Sequence, residues 1–223
     1  MRILVTSDLH LPYNIRDVIE QINAITEHID IIILCGDIID NREHIYLKKL
    51  YNLFIEKFGN VKIYSTFGNN EATFFPRDKE LKNFYKKEYP QFNWLDYEYV
   101  DIGKYYLVGF EGFPDRMWKS NNYEELKKKY VEVLEKIFEE LDKKIIVFSH
   151  YGLIKDTVLG DPSPLAMLYS KYIEDLIIKY SDKIVYGFHG HVHKAVNYKK
   201  KLGDAEIYNV AFPIHKKFLV FEI

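Results

Sequence analysis

The sequence has little of several features that mark secreted or nucleic-acid-binding proteins. It contains one cysteine, Cys35, in 223 residues, so no disulfide can form within the chain. Because Cys35 closes an apolar run, we expect a small buried residue near a strand end, without a redox role. The 31 basic and 33 acidic side chains nearly cancel to a formal net charge of -2. This balance leaves no overall positive charge for binding duplex nucleic acid.

Long apolar runs are also missing. No uninterrupted apolar stretch approaches the roughly 20 residues that a bilayer-spanning helix needs. No basic segment followed by an apolar core opens the sequence, where Met1-Arg2 leads directly into a short apolar run. We therefore expect a cytoplasmic protein without a membrane partner. Repeats and low-complexity segments are absent from the sequence, and its length fits a single domain over residues 1–223.

What the sequence does contain is a set of apolar, mostly β-branched runs that stop at potential metal ligands. The polar segments are Asp8-Leu9-His10, Gly36-Asp37, Gly68-Asn69, Ser149-His150 and Gly190-His191-Val192-His193. Buried strands that end in loops have this pattern, and we expect strands over 2–6, 31–34, 61–67, 145–148 and 184–188. In open α/β sheets, sites form beyond the carboxyl ends of strands, so these ends can converge. Their carboxylates, imidazoles and amide oxygens are the mixture that a pair of divalent ions needs.

Each segment alone has a simpler interpretation. Gly36-Asp37 and Gly68-Asn69-Asn70 are typical of tight turns, because glycine tolerates a positive φ and Asp and Asn favour turns. His150 alone could be a histidine satisfied at a strand end. The stretch from His189 to His193 is more specific, because alternation places residues 191 and 193 on one side of an extended segment. The occurrence of all the segments in this order favours the joint interpretation as a metal site.

In this combination the residues resemble the calcineurin-like metallophosphoesterases. The family pattern is Asp-x-His, Gly-Asp-x-x-Asp, Gly-Asn-His-Asp/Glu, a later His and Gly-His-x-His. It corresponds here to Asp8-Leu9-His10, Gly36-Asp37-Ile38-Ile39-Asp40, Gly68-Asn69-Asn70-Glu71, His150 and Gly190-His191-Val192-His193. The resemblance implies an α/β fold of the α+β type, a four-layer α/β/β/α sandwich of two mixed sheets flanked by helices. It places the metal site at the carboxyl ends of the strands.

The resemblance also implies the ligands and the chemistry. One metal would be held by Asp8, His10, Asp37 and His193, and the second by Asp37, Asn69, His150 and His191, with Asp37 as the bridge. A hydroxide that bridges the metals would attack phosphorus in line, while both cations neutralise charge on the non-bridging oxygens. We expect two divalent ions, Mn²⁺ first, with Fe, Ni²⁺, Co²⁺ or Zn²⁺ also compatible with these ligands. His189 lies outside the ligand pattern and is expected to be a buried strand histidine or to orient a ligand.

One position departs from the family pattern. Asn70 stands where the family usually has a His that helps the leaving group depart, although some members also carry Asn there. Asn can donate an amide hydrogen bond but cannot transfer a proton near neutral pH. Asp40, which pairs with that His in the phosphoprotein-phosphatase branch, therefore lacks its partner. We expect Asn70, Asp40 and His150 as catalytic residues, and either a preference for leaving groups of low pKa or a proton borrowed from metal-bound water or another His.

Apolar residues recur at helical spacing between the predicted strands. The stripes run over 15–25, 45–58, 123–141 and 171–180, and their Leu and aromatic residues are expected to be core. Further short strands are expected over 105–110, 206–210 and 217–222, near a turn at Leu202-Gly203-Asp204. Strand and helix alternate in the first half and short strands crowd the carboxyl-terminal end. This order favours two packed sheets with helices outside.

Three loops could reach over the predicted metals, at residues 41–45, 72–78 and 111–122. Two of them combine aromatic residues with an arginine, Arg77 or Arg116. These two side chains and Asn69 are the predicted substrate-binding residues, because Arg suits bidentate phosphate contact and aromatic rings stack on bases, lipids or aryl groups. Alternatively, the aromatic residues anchor the loops and the arginines pair with surface acids.

Three functions remain open at this point. The first is a binuclear metal phosphoesterase, with small phosphodiesters favoured over phosphomonoesters because of Asn70. A nuclease acting on DNA or RNA ends would need a cationic groove. The short clusters Lys127-Lys128-Lys129 and Lys199-Lys200-Lys201 are typical of solvated faces or hairpin turns, with phosphate-steering patches as the alternative. The third is a catalytically weak protein-interaction scaffold of the same fold. The intact set of predicted ligands argues against a scaffold.

Overall fold

The computed structural model describes residues 1–73, 75–116 and 122–223, with the side chain of Arg77 also left outside the description. The strands are β1 (Arg2–Thr6), β2 (Ile31–Cys35), β3 (Lys62–Thr66), β4 (Glu98–Asp101), β5 (Tyr106–Phe110), β6 (Ile145–Ser149), β7 (Ile184–His189), β8 (Lys199–Leu202), β9 (Ala205–Asn209) and β10 (Leu219–Glu222). The helices are α1 (Ile15–Ala24), α2 (Ile45–Phe58), α3 (Lys79–Glu88), α4 (Tyr123–Glu140), α5 (Lys171–Lys179) and the single turn α6 (Phe212–His215).

These strands form two mixed sheets. The first has the order β10-β1-β2-β3, in which β1, β2 and β3 are parallel and β10 is antiparallel. The second has the order β4-β5-β6-β7-β9-β8, in which β5, β6, β7 and β9 are parallel and the edge strands β4 and β8 are antiparallel. In each sheet the parallel strands therefore end at one common edge.

The alternation of side chains along β2 shows how the layers pack. Ile32 and Leu34 lie in the core that joins the first sheet to α1, α2 and α3. Ile33 and Cys35 point the other way, into a core shared with Phe148 and other residues of the second sheet. A third core joins the second sheet to α4 and α5. The predicted sandwich of two mixed sheets between helices is confirmed, and Cys35 is fully buried as expected.

Most predicted elements agree with the structure to within two residues at each end. Four elements of the structure were missed. The strands β4 and β8 have mostly exposed side chains, the apolar residues of α3 stand among many charges, and α6 is a single turn. The expectation of a solvated face is wrong for Lys127, which is 2% exposed. Its ammonium donates to the carbonyl of Asp115 at 2.9 Å and pairs with Glu124 at 2.7 Å.

The second lysine cluster has the predicted surroundings. Lys199–Leu202 forms β8, an exposed edge strand that turns back into β9 through Gly203 and Asp204. Lysines on an edge strand discourage pairing with another chain, which explains this composition. In the described part of the chain, no helix is long and apolar enough to cross a membrane. The single domain over residues 1–223 stays a prediction.

Candidate metal centre

The strand ends of both sheets deliver the predicted ligands to one place. Asp8, Asp37 and Asn69 follow β1, β2 and β3 of the first sheet, and His150 and His191 follow β6 and β7 of the second. The sheets are joined here by the amide of His191, which donates to Asp8 Oδ2 at 2.9 Å. Residues distant in sequence therefore meet because parallel strands end at the same edge.

The first group of ligand atoms belongs to Asp8, His10 and His193. Their candidate ligand atoms all lie within 4.8 Å of one another. His193 Nε2 is 3.0 Å from Asp8 Oδ1 and 3.4 Å from His10 Nε2. Asp8 is fully buried and the two imidazoles are half-buried, so a cation held here would keep one open side.

The second group centres on His150. Its Nε2 lies 3.0 Å from Asn69 Oδ1, 3.2 Å from His191 Nδ1 and 3.6 Å from Asp37 Oδ1. Asp8, Asp37 and His150 also form a cluster whose ligand atoms lie within 4.8 Å of one another. Asp8 therefore belongs to both clusters of candidate ligand atoms, whereas Asp37, the predicted bridge, belongs to the second.

The tautomers of two histidines test whether these residues fit a metal. His150 Nδ1 lies 3.1 Å from the carbonyl of Cys35, and His191 Nε2 lies 3.2 Å from the carbonyl of Met167. Each of these nitrogens must carry the proton, because a carbonyl only accepts. In the neutral rings the other nitrogens, His150 Nε2 and His191 Nδ1, present lone pairs to each other at 3.2 Å. Facing lone pairs beside Asn69 Oδ1 repel one another unless an electrophile binds them, so the donor set fits a cation.

Burial keeps the second group neutral. Burial lowers the pKa of the His150 imidazole, and burial together with His150 lowers the pKa of His191 to about 3. Burial and the nearby Asp8 carboxylate raise the pKa of Asp37 to about 7. Two carboxylates at close range resist simultaneous ionisation, and a cation between them relieves that repulsion.

The first group is electrostatically different. Burial alone would raise the pKa of Asp8, but the hydrogen bond from His193 and nearby imidazoles hold it well below its usual range. The same contact raises the pKa of His193 against the opposing effect of burial. Ser7 also donates its hydroxyl to Asp8 Oδ2 at 2.5 Å. Asp8 is therefore the more acidic of the two buried carboxyl groups, since the pKa of Asp37 is raised.

Backbone conformation at the ligands is unusual. The φ angles of Asp8, His10, Asp37 and His191 are 56°, 45°, 48° and 67°. Non-glycine residues in this left-handed region cost about 1 kcal/mol each, and such positions concentrate at functional sites. Close approach adds a second constraint, because a Cβ on Gly190 would collide with the Asp8 carboxylate and the Ser7 hydroxyl.

Glu71 is the residue whose role the sequence reasoning missed most clearly. Its buried carboxylate accepts four backbone amide hydrogen bonds. Oε2 accepts from Gly68 at 2.8 Å and Asp37 at 2.9 Å, and Oε1 from Ile38 at 2.7 Å and Ile39 at 3.0 Å. The side chain thereby ties the loop after β3 to the loop after β2. The signal in the sequence for this role is the place of Glu71 at the end of the segment Gly68-Asn69-Asn70-Glu71.

Asn209 has a similar positioning role at the other end of the site. It is fully buried at the end of β9, and its amide nitrogen donates to the carbonyl of Val192 at 2.9 Å. Val192 separates the candidate ligands His191 and His193, so this bond fixes their loop. His189 is also fully buried, with its ring nitrogens 2.7 Å from Thr157 Oγ1 and 3.0 Å from the carbonyl of Gly190. The expectation of a buried strand histidine is confirmed.

The predicted catalytic residues lie at different distances from these atoms. Asn70 contacts Asp37 twice, with its backbone amide 2.9 Å from Oδ1 and its side-chain amide 2.7 Å from Oδ2. Asp40 is half-buried on the loop after β2, where its amide donates to the carbonyl of Leu11 at 2.9 Å. Within the described residues, the Asp40 carboxylate forms no hydrogen bond or ion pair. Arg77, predicted to bind substrate, has its side chain outside the described residues.

A cleft of about 590 Å³ opens beside the candidate metal centre. Asn69, His191, His193 and Arg116 are among the residues that line it. The predicted substrate-binding residues Asn69 and Arg116 therefore share one cleft. Residues 41–45, another of the three predicted loops, are exposed, and His44 Nδ1 lies 2.6 Å from the Tyr89 hydroxyl.

Comparisons with known proteins give the same architecture. Phosphopantetheinyl hydrolase from Mycobacterium tuberculosis has a TM-score of 0.67 at 13% identity, covering 94% of this chain and 88% of that chain. A dimetal phosphatase from Danio rerio has a TM-score of 0.67 at 11% identity, covering 99% of this chain and 91% of that chain. At these identities the likeness shows the fold alone. The sequence matches none of the curated proteins with which it was compared.

The family assignment rests on a different comparison. The family model described as calcineurin-like phosphoesterase matches residues 1–195, which include all the candidate metal ligands. This match agrees with the two mixed sheets between helices and with the carboxylates and imidazoles at their edge. The chain belongs to the calcineurin-like phosphoesterase family.

Proposed function

We propose that the chain is a binuclear, metal-dependent phosphodiesterase that acts on small substrates. The observation that carries the proposal is that His150 Nε2 and His191 Nδ1 face each other with their lone pairs, beside Asn69 Oδ1. A second group, Asp8 with His10 and His193, adjoins the first, because Asp8 also clusters with Asp37 and His150. Mn²⁺ is the proposed metal, and Fe, Ni²⁺, Co²⁺ or Zn²⁺ suit the same ligands.

Two divalent cations bound to these ligands would activate water for in-line attack on phosphorus and neutralise charge on its oxygens. The residues of the chain set up this chemistry. Glu71 and Asn209 hold the ligand-bearing loops, and carbonyl acceptors hold His150 and His191 in the tautomers that suit metal binding. Asn70 positions the Asp37 carboxylate through two hydrogen bonds.

Two features support diesters over monoesters. Asn70 cannot protonate a leaving group, so substrates whose leaving group departs unassisted are favoured. The cleft of about 590 Å³ next to Asn69 and His191 offers room for a second organic substituent on phosphorus.

A panel of substrates tests the proposal. Purified protein with Mn²⁺ or Ni²⁺ is assayed on p-nitrophenyl phosphate, its bis-ester, cyclic nucleotides and single-stranded DNA. We expect a kcat/KM for the bis-ester about tenfold above that for the monoester, with activity lost in a chelator and restored by the metal. Faster turnover of the monoester would contradict the diester preference. Cleavage of DNA alone, weakening steeply with salt, would indicate a nuclease instead.

Replacing Asn70 by histidine tests how the leaving group departs. In Asn70→His the imidazole can donate a proton, so hydrolysis of alkyl esters, which need that proton, should rise relative to aryl esters. We expect the ratio of aryl to alkyl rates to fall about tenfold or more, since general acid catalysis contributes roughly 10²–10⁴-fold. Asn52→His, on the exposed face of α2, serves as the matched control. An unchanged aryl-to-alkyl ratio in Asn70→His would rule out this role for position 70.

A further inference from the structure

The cleft beside the candidate metal centre is lined by two chemically different groups of residues. The apolar group, called the apolar wall, consists of Pro114, Tyr151, Met167 and Leu168. The polar group, called the polar rim, consists of Arg116, Asp161, Ser163 and Lys194. The candidate ligands Asn69, His191 and His193 line the same cleft. The organic part of a substrate whose phosphorus lies at the ligands can therefore contact both groups.

The apolar wall is rigidly tied to a candidate ligand. The Tyr151 ring is 4% exposed and its centroid lies 4.3 Å from that of His191. The carbonyl of Met167 accepts the hydrogen bond from His191 Nε2 at 3.2 Å. Leu168 belongs to a small core with Val192, inside the loop that carries His191 and His193. The wall is thus preformed, and a flat group can pack on it without reorganising the loop.

Backbone hydrogen bonds hold the two cationic residues of the rim, Arg116 and Lys194, in place. The amide of Arg116 donates to the carbonyl of Ala166 at 2.7 Å, and the neighbouring Asp115 carboxylate accepts from Ser170 Oγ at 3.0 Å. The amide of Lys194 donates to Asp161 Oδ2 at 3.2 Å. In the part of the chain that the structure describes, neither the Arg116 guanidinium nor the Lys194 ammonium forms an ion pair.

Asp161 is the carboxylate of the polar rim, and its single negative charge cannot neutralise both Arg116 and Lys194. Its oxygens accept backbone amide hydrogen bonds, from Ser163 at 2.9 Å and from Lys194 at 3.2 Å. The rim therefore carries two positive charges and one negative charge. Its remaining positive charge is free to meet an anionic group of a ligand.

We propose that the substrate of this phosphoesterase carries, besides the scissile phosphoester, a flat apolar ring that packs on the apolar wall and a second anionic group that binds Arg116 and Lys194. The inference rests on the proposed function for the position of the scissile phosphorus. It names a substrate class, an aromatic or heteroaromatic phosphoester with a further phosphate or carboxylate. Arg and Lys bind both anions through charge-assisted hydrogen bonds.

Binding of three phosphonates to the Mn²⁺-loaded protein tests the inference without turnover. By calorimetry, benzylphosphonate should bind about tenfold more tightly than methylphosphonate, because its ring buries apolar surface. 4-Carboxybenzylphosphonate should bind about a further tenfold more tightly at low salt, with the gain shrinking as ionic strength rises. In the double variant Arg116→Gln/Lys194→Gln, the two benzylphosphonates should bind with about equal affinity. The exposed control Lys49→Gln should keep the tenfold difference between them.

The outcomes separate the inference from the proposed function. Equal affinity for the two benzylphosphonates, or a carboxylate gain that survives in the double variant, would overturn the second-anion subsite. Equal affinity for methyl- and benzylphosphonate would overturn the ring contact. If the carboxylate gain and its loss in the double variant are observed but no phosphoester is hydrolysed, the subsite stands and the proposed function fails.

Discussion

Replacing Asp37 by asparagine is expected to lower kcat on the bis-ester by about a thousandfold, or about 4 kcal/mol of transition-state stabilisation. Asp37 is 3% exposed, its Oδ1 lies 3.6 Å from His150 Nε2, and it clusters with Asp8, which also belongs to the group of His10 and His193. The change removes the negative charge that would bridge two cations. In the wild type, the backbone and side-chain amides of Asn70 donate to the two carboxylate oxygens of Asp37 at 2.9 and 2.7 Å. In the variant, the new NH₂ group would face one of these donors in place of an acceptor.

Stability should respond very differently from activity. Burial and Asp8 raise the pKa of Asp37 to about 7, so ionising this carboxyl group destabilises the folded chain before a cation binds. In a chelator, Asp37→Asn should therefore melt within about 4 °C of the wild type, equivalent to about 1 kcal/mol for a chain of this size. Kinetics at saturating Mn²⁺ and thermal melts provide the two readouts, with Asp182→Asn in the exposed turn before β7 as control. A variant with more than a tenth of wild-type kcat would show that Asp37 is not the bridge.

The positions of the ligands could be predicted because two independent regularities coincide in the sequence. Apolar β-branched runs such as Ile31–Cys35 predict buried parallel strands, and parallel strands end at a common edge. The residues after those strands are metal-ligand types. Neither regularity needs information about side-chain packing, so the approximate place of Asp8, Asp37 and His150 followed from the sequence alone.

What could not be predicted depends on long-range contacts. Lys127 was assigned to a solvated face because three lysines stand together, yet it packs over Tyr123 and Tyr172 at 4.8 and 5.1 Å from the ring centroids. The cleft is a second example. Its wall combines Tyr151 with Met167, which are brought together by the loop between β6 and α5, and nothing in their spacing indicates that contact.

Glu71 illustrates the same limit at the metal centre. Sequence reasoning included it in a family pattern but assigned it no role, because its partners lie more than thirty residues away on the loop after β2. Only the folded chain shows that one carboxylate satisfies donors from both loops. Since a buried amide without an acceptor costs about 1–3 kcal/mol, the loops could not adopt this conformation without it.

Glu71→Gln is therefore expected to lower the free energy of unfolding by about 3 kcal/mol, a large part of the 5–15 kcal/mol typical of a folded protein. The new NH₂ group would face two backbone donors in place of an acceptor, and relief of charge repulsion with Asp37 offsets part of the loss. Chemical denaturation measures the change, with the exposed Glu132→Gln on α4 as control. Amide hydrogen exchange should accelerate at Asp37, Ile38, Ile39 and Gly68 and be unchanged on α4. A variant within about 0.5 kcal/mol of the wild type, with those amides still protected, would mean that the loops hold their conformation without the carboxylate.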